Sequence, residues 1–274
     1  MSAQTYDPSA LEIWHEKRLT TLTKPDGWLS VVGLSWLERG TWHFGSSSDS
    51  DIVIANIPSS AGTVTLNESG SVTVRFEPDT KGTIDGKACQ EATLSADPAA
   101  PTLAAIGDVS FYVIERNGRK ALRIVDSGSR NRQDFMDIPR FSADPSWRIV
   151  ADWVALETPQ PFEVDSIIGT ANTVLVTHKA VFNRDGRKIE LWPTHGTETA
   201  PMFVLRDATS GHETYGASRF LTGEIDGSQI VLDFNKAINP PCAFTDFATC
   251  PLPPAENRLP FRIEAGEKLP RFRG

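Results

Sequence analysis

Carboxylates, amides and thiols crowd one stretch of this chain, from Asp233 to Glu267, which reads DFNKAINPPCAFTDFATCPLPPAENRLPFRIEAGE. Asp233 beside Tyr215 or Arg219 would form an acid–base unit whose pKa values its neighbours tune. Glu267 would add a second acid and make a paired-carboxylate site. Arg219 offers a planar fork for a carboxylate or phosphate, or pairs internally with Asp233 or Glu267. Asn235, Asn239, Asn257 and Cys242 would supply polar contacts to the same ligand. Cys242 and Cys250 admit three readings: a loop-stapling disulfide, buried inert thiols, or a thiolate nucleophile activated by Lys236, His212 or Arg219. His178 in VLVTHKAVF and His195 in WPTHGT are further general-base candidates.

These residues need a scaffold that brings them together. Six prolines between Asp233 and Glu267 remove six backbone donors, which forbids a helix or a central strand there. Phe234, Phe244, Phe247, Leu252 and Leu259 give the same stretch an apolar surface to bury, so it is expected to be a rigid, packed loop of the kind that often carries function. Just before it, RDATSGHETYGASRF (206–220) predicts a strand, a tight turn at Ser210-Gly211 and a return strand. Asp207, Thr209 and Thr214 would stabilise that turn through side-chain to backbone bonds. On a return strand, Tyr215, Ala217 and Arg219 would share a face. Asp233 and Asn235 would alternate with Phe234 beside them. Gly266 would let the chain turn sharply next to Glu267.

Elsewhere the pattern has a period of two. Residues 71–78, 110–116, 120–126, 147–156, 173–182, 188–193, 200–208 and 228–235 all predict strands, separated by turn dipeptides that include Asn117-Gly118 and Asp185-Gly186. One helix is expected, over 8–23, with Asp7 as cap and Pro8 at the first position. Trp28, Trp36 and Trp42 follow it closely and suggest an aromatic plug under a sheet. The chain thus reads as mainly β: a helix and Trp-rich segment over 1–40, a β-sandwich over 41–126, a polar connection over 127–146, and a β-barrel or curved antiparallel sheet with the Pro-rich loop over 147–274.

The net charge is −8, and no basic stripe interleaved with aromatics occurs, which disfavours a nucleic-acid partner. No apolar run is long enough to cross a bilayer, and the N-terminus lacks the pattern of a signal peptide, so a cytoplasmic protein is expected. The three cysteines and five histidines match no metal spacing. A glycine-rich phosphate loop, a GxSxG elbow and HExxH are all missing, so neither a metal nor a cofactor is expected.

Two resemblances add to this. FGSSSDSDIVI, IPSSAG and DTKGTIDGK resemble, in their order, the glycine turn, serine loop and late turn of forkhead-associated domains. That implies a sandwich fold. Ser46 follows Gly45 where those domains carry an arginine, and no histidine follows Ser59-Ser60, so phosphopeptide recognition does not carry over. More of the chain, from about Trp14 to Lys268, resembles the family catalogued as domain of unknown function 1684, through GWLSVVGLSWLERG, GHETYGASRFL, the Pro-rich stretch and the closing AGEK. That family implies no activity and no catalytic residue. The residues themselves favour an enzyme that holds a small polar molecule, a carboxylate or phosphate above all, and performs hydrolysis or lyase/isomerase chemistry through Asp233, Tyr215 and Glu267. A non-catalytic ligand- or peptide-binding module and a purely structural protein are the alternatives.

Overall fold

The computed structural model describes residues 7–167, 169 and 171–273. Contacts divide the chain into two units, Thr21–Asp134 and a second drawn from Met1–Thr20 and Phe135–Gly274. The division falls in the polar connection, just after a short helix at Arg130–Asp134.

Thr21–Asp134 is a two-sheet sandwich. One sheet centres on the hairpin of Val109–Arg116 and Arg119–Asp126, paired in full register around Asn117-Gly118. Both turn residues have positive φ, 52° and 73°, the mirror-image turn whose twist matches that of paired strands. The second sheet centres on Gly40–Gly45, Gly62–Leu66 and Val72–Phe76. Alternation sends Phe111, Val113, Leu122 and Ile124 of the first sheet and Phe44, Val64, Val74 and Phe76 of the second into one core. Phe44 and Phe111 meet edge to face, with ring centroids 5.3 Å apart.

The second unit begins with the helix Pro8–Leu22, which belongs to it as far as Thr20. Its main sheet is antiparallel and five-stranded. Arg148–Asp165 and Ala171–Arg184 form a long hairpin, flanked by Arg187–Leu191 on one side and by Gln229–Asp233 and Glu224–Asp226 on the other. The turn at Asp185-Gly186 again has positive φ at both residues, 51° and 74°. A three-stranded sheet of His195–Gly196, Pro201–Leu205 and Arg219–Thr222 contributes Phe203, Leu205 and Leu221 to a core shared with Ala180, Leu191, Ile230 and Leu232 of the main sheet.

Of the two forms open for this half, the curved antiparallel sheet is the one found, and the barrel is not. The main sheet keeps two free edges, Arg187–Leu191 and Glu224–Asp226. The segment that might have closed it is the Pro-rich one, whose missing donors cannot complete a ladder. It instead forms short 3-10 turns at Phe234–Lys236, Pro241–Ala243 and Ala255–Asn257 and buries Phe234, Phe244, Leu259 and Ile263. No helix among the described residues is long and apolar enough to cross a membrane.

Candidate functional site

Arg219 has no exposed surface at all. The hairpin expected over 206–220 is not regular: the return strand begins only at Arg219, and 209–214 folds into a tight knot of turns held by the Thr209 carbonyl, which accepts from His212, Glu213 and Thr214. Tyr215 and Arg219 therefore do not share a strand face. Nor is the partner of Arg219 Asp233 or Glu267. Its Nη1 donates to Asp207 Oδ2 at 3.0 Å and to the Ile263 carbonyl at 3.1 Å, and its Nη2 donates to the Ala265 carbonyl. Asp207 is equally buried, and its Oδ1 accepts from Thr209 N at 2.8 Å, Thr209 Oγ1 at 2.7 Å and Ile263 N at 3.2 Å. Burial pulls the Arg219 guanidinium below its ordinary pKa, and the charge of Asp207 opposes that. With both Nη atoms committed, Arg219 pins the end of the Pro-rich segment to the 207–214 knot; only its buried Nε has no partner among the described residues, so no two-nitrogen fork is left for a ligand.

The other polar residues of the segment also have internal work. Glu267 receives Arg18 Nε at 3.1 Å from the helix and the Asn239 backbone N–H at 2.6 Å. Gly266 places it there with φ of 78°, and a Cβ on that glycine would lie 2.5 Å from the Ala237 carbonyl oxygen. The amide of Asn239 donates to the Lys268 carbonyl at 2.7 Å. Asn257 acts as a surrogate strand: its Oδ1 accepts from Trp192 N at 2.9 Å, and its Nδ2 donates to the carbonyls of Trp192 at 2.8 Å and Val204 at 2.9 Å. Asp233 caps the 3-10 turn after it by accepting from Asn235 N at 3.1 Å, and the Asn235 amide clasps both backbone groups of Asp144 at 3.0 Å. The hydrogen bonds of Tyr215, Arg219 and Asp233 thus run to three different sets of partners.

Besides the pairs Glu267–Asn239 and Asp233–Asn235, Tyr215 and Cys242 also meet. The Tyr215 phenol hydrogen-bonds the Cys242 thiol, and Cys250 Sγ accepts the Cys242 backbone N–H at 3.2 Å. Burial first, and then Cys242, push the Tyr215 hydroxyl above its ordinary pKa. The neighbouring Cys250 thiol, and less so Tyr215, lower that of Cys242 against the opposing effect of burial. All three cysteines are free thiols, with Cys250 buried, Cys242 half-buried and Cys89 exposed.

A cleft of about 450 Å³ lies elsewhere in the same unit and gathers His178 and His195, the two further general-base candidates. Trp153 stacks on the His178 ring, with centroids 5.1 Å apart and planes within 9°. The long hairpin makes this possible, because Trp153 pairs with Ala180 and Ala155 with His178, which sets the two rings diagonally on one face in regular register. His195 enters from the short strand that pairs with Met202. Its Nδ1 lies 3.0 Å from Thr194 Oγ1, as does His178 Nδ1 from Thr177 Oγ1. Burial lowers the pKa of His195 below its ordinary 6.5, so the imidazole is neutral at pH 7. No group of three or more metal-binding side chains occurs among the described residues.

Missed at the level of sequence were Arg18 as the partner of Glu267 and Asp207 as that of Arg219. The second had a readable signal, since Asp207 and Arg219 lie on the two arms of the hairpin expected over 206–220.

No curated protein matches the chain. It is similar to an uncharacterized protein from gene locus rrnAC0354 of Haloarcula marismortui, known from a solution NMR structure, at 31% identity over 50% of this chain and 78% of that one, with a TM-score of 0.41. The family model described as "Protein of unknown function (DUF1684)" matches residues 133–268, a span that takes in the Arg219–Asp207 lock, both thiols of the Pro-rich segment and the histidine cleft. Over residues 133–268 the chain resembles this uncharacterised family.

Proposed function

We propose that the chain is an enzyme that binds a small polar molecule in the cleft of Trp153, His178, Thr194 and His195 and moves a proton on it, in hydrolysis or in lyase/isomerase chemistry. One observation carries this reading: two imidazoles line a single cleft of about 450 Å³, and burial keeps one of them neutral. A neutral imidazole is the side chain best suited to general acid–base work near pH 7. The flat Trp153–His178 stack supplies a wall for a planar substrate group. The Thr194 hydroxyl beside His195 Nδ1 can donate to that nitrogen or accept from it, so it accommodates Nε2 as acceptor or donor of the proton. Arg219, Asp233 and Glu267 serve as scaffold in this reading, and the preference for an anion expected from Arg219 does not attach to this cleft.

An NMR fragment screen tests it. Small polar fragments are expected to shift the imidazole resonances of both His178 and His195. Any turnover of an activated ester should rise with pH through a pKa below 6.5, level off by neutrality, and disappear in His195→Gln. Fragments that move neither imidazole, or turnover untouched in His195→Gln, would sink the reading.

A further inference from the structure

A second cleft, of about 470 Å³, opens in the unit Thr21–Asp134 and is lined by Pro98, Pro101, Tyr112, Ile114, Arg116 and Arg123 among others. The geometry points to a binding site here for a small carboxylate that carries an apolar body. Arg123 is the reason. Only 4% of it is exposed, yet its Nε and Nη2 have no hydrogen-bond partner among the described residues. These two nitrogens lie along one edge of the guanidinium plane, and that edge is a bidentate seat for the two oxygens of a carboxylate. Leaving buried charged donors unpaired is costly, so a site of this kind persists where a ligand completes it.

The surroundings hold the seat ready. Arg123 stands directly opposite Tyr112 in the Val109–Arg116/Arg119–Asp126 hairpin, on the face turned away from the Phe111, Val113, Leu122 and Ile124 core. The Trp28 ring covers one side of the guanidinium, 4.9 Å from Cζ, which fixes its plane, while Nε and Nη2 are buried without a partner beside the cleft. Among the described residues no carboxylate forms an ion pair with it: Glu115, which also lines the cleft, reaches toward Lys120 at 3.7 Å. Arg116 adds a second positive charge, and burial together with the charge of Arg123 lowers its pKa, a repulsion that an anion would relieve. Pro98, Pro101 and Ile114 give the apolar wall. The contrast with Arg219 is instructive, because that buried arginine has both Nη atoms tied to an aspartate and to carbonyls.

Benzoate is a suitable probe, with benzyl alcohol as its neutral counterpart and inorganic phosphate as an anion without an apolar body. Benzoate should raise the melting midpoint of the full chain in proportion to the logarithm of its concentration, and benzyl alcohol should not. Arg123→Met should weaken the benzoate response by at least about tenfold while leaving the ligand-free protein as stable as before or more so, because an unpaired buried charge is removed. If Arg123→Met fails to fold, the Arg123 Nε–H resonance of the unaltered protein decides, and a saturable shift with benzoate is the expected result. An unmoved Nε–H, a response retained in Arg123→Met, or phosphate acting as strongly as benzoate would overturn the assignment.

Discussion

Two arginines in this protein are almost wholly buried, and their different partners give them different roles. Arg219 and Asp207 are both fully enclosed and hydrogen-bonded to each other at 3.0 Å. Removing either partner leaves the other as an uncompensated buried charge, a change that costs roughly 3–5 kcal/mol. Asp207→Asn and Arg219→Lys are therefore expected to lose stability of about that order in chemical denaturation, since lysine cannot span the aspartate and two carbonyls at once. Their native folds should still give the same fragment response at His178 and His195. Unchanged denaturation midpoints in both variants would show that the lock stabilises nothing. Cys242 occupies the middle ground. Its thiol is half-buried, and its pKa is lowered mainly by Cys250 and then by Tyr215, a neighbourhood assembled from two separate turns of the chain.

At the level of elements, the cleft depends on the short strand that delivers His195. Gly196 follows it with φ of 88°, and a Cβ there would stand 2.3 Å from the Ala200 carbonyl oxygen. An alanine would meet both the left-handed backbone cost and a clash with main chain that cannot swing aside, together about 1–3 kcal/mol. Gly196→Ala is expected to lower the denaturation midpoint and to displace the His195 imidazole resonance while that of His178 stays in place. An alanine variant with native stability and an unmoved His195 signal would show that the turn tolerates a side chain. On the other wall the regular pairs Trp153↔Ala180 and Ala155↔His178 set the two rings diagonally across the hairpin, and the register shifts only beyond them.

For the whole molecule, the buried histidines set the response to acid. His15 and His195 both have pKa values lowered by burial, and for His15 the charge of Arg140 adds to the effect. Each therefore binds a proton less readily in the folded state than in the unfolded one, where the ordinary value is 6.5. Their contribution to stability is fully present above that value and is lost as pH falls through the lower, folded values. Thermal melts should show a midpoint that is flat above neutrality and declines below pH 6.5, with a shallower decline in His195→Gln. A midpoint that rose on acidification over that range would contradict the sign.

What the residues settle by themselves is local. The period of two, the Asn-Gly and Asp-Gly turns with positive φ at both positions, and Pro8 opening the first helix depend only on neighbours in the chain, and all are found as the sequence predicts. The rigidity of the Pro-rich segment is likewise legible, because proline fixes φ wherever it stands. The pairing of polar groups is a different matter. Arg219 chose Asp207, Glu267 took Arg18 from a helix 249 positions away, and His178 and His195, from two different sheets, came to line one cleft. A charge or an imidazole acquires its role from distances of a few ångströms, and those distances are set by how the sheets pack. The side chains that looked most chemical in the sequence became the mortar of the loop, because burial demands that each polar group find a partner. The tertiary structure alone reveals where that demand is left unmet: at single atoms of His15, Arg219 and Asn239, and at two adjacent nitrogens of Arg123.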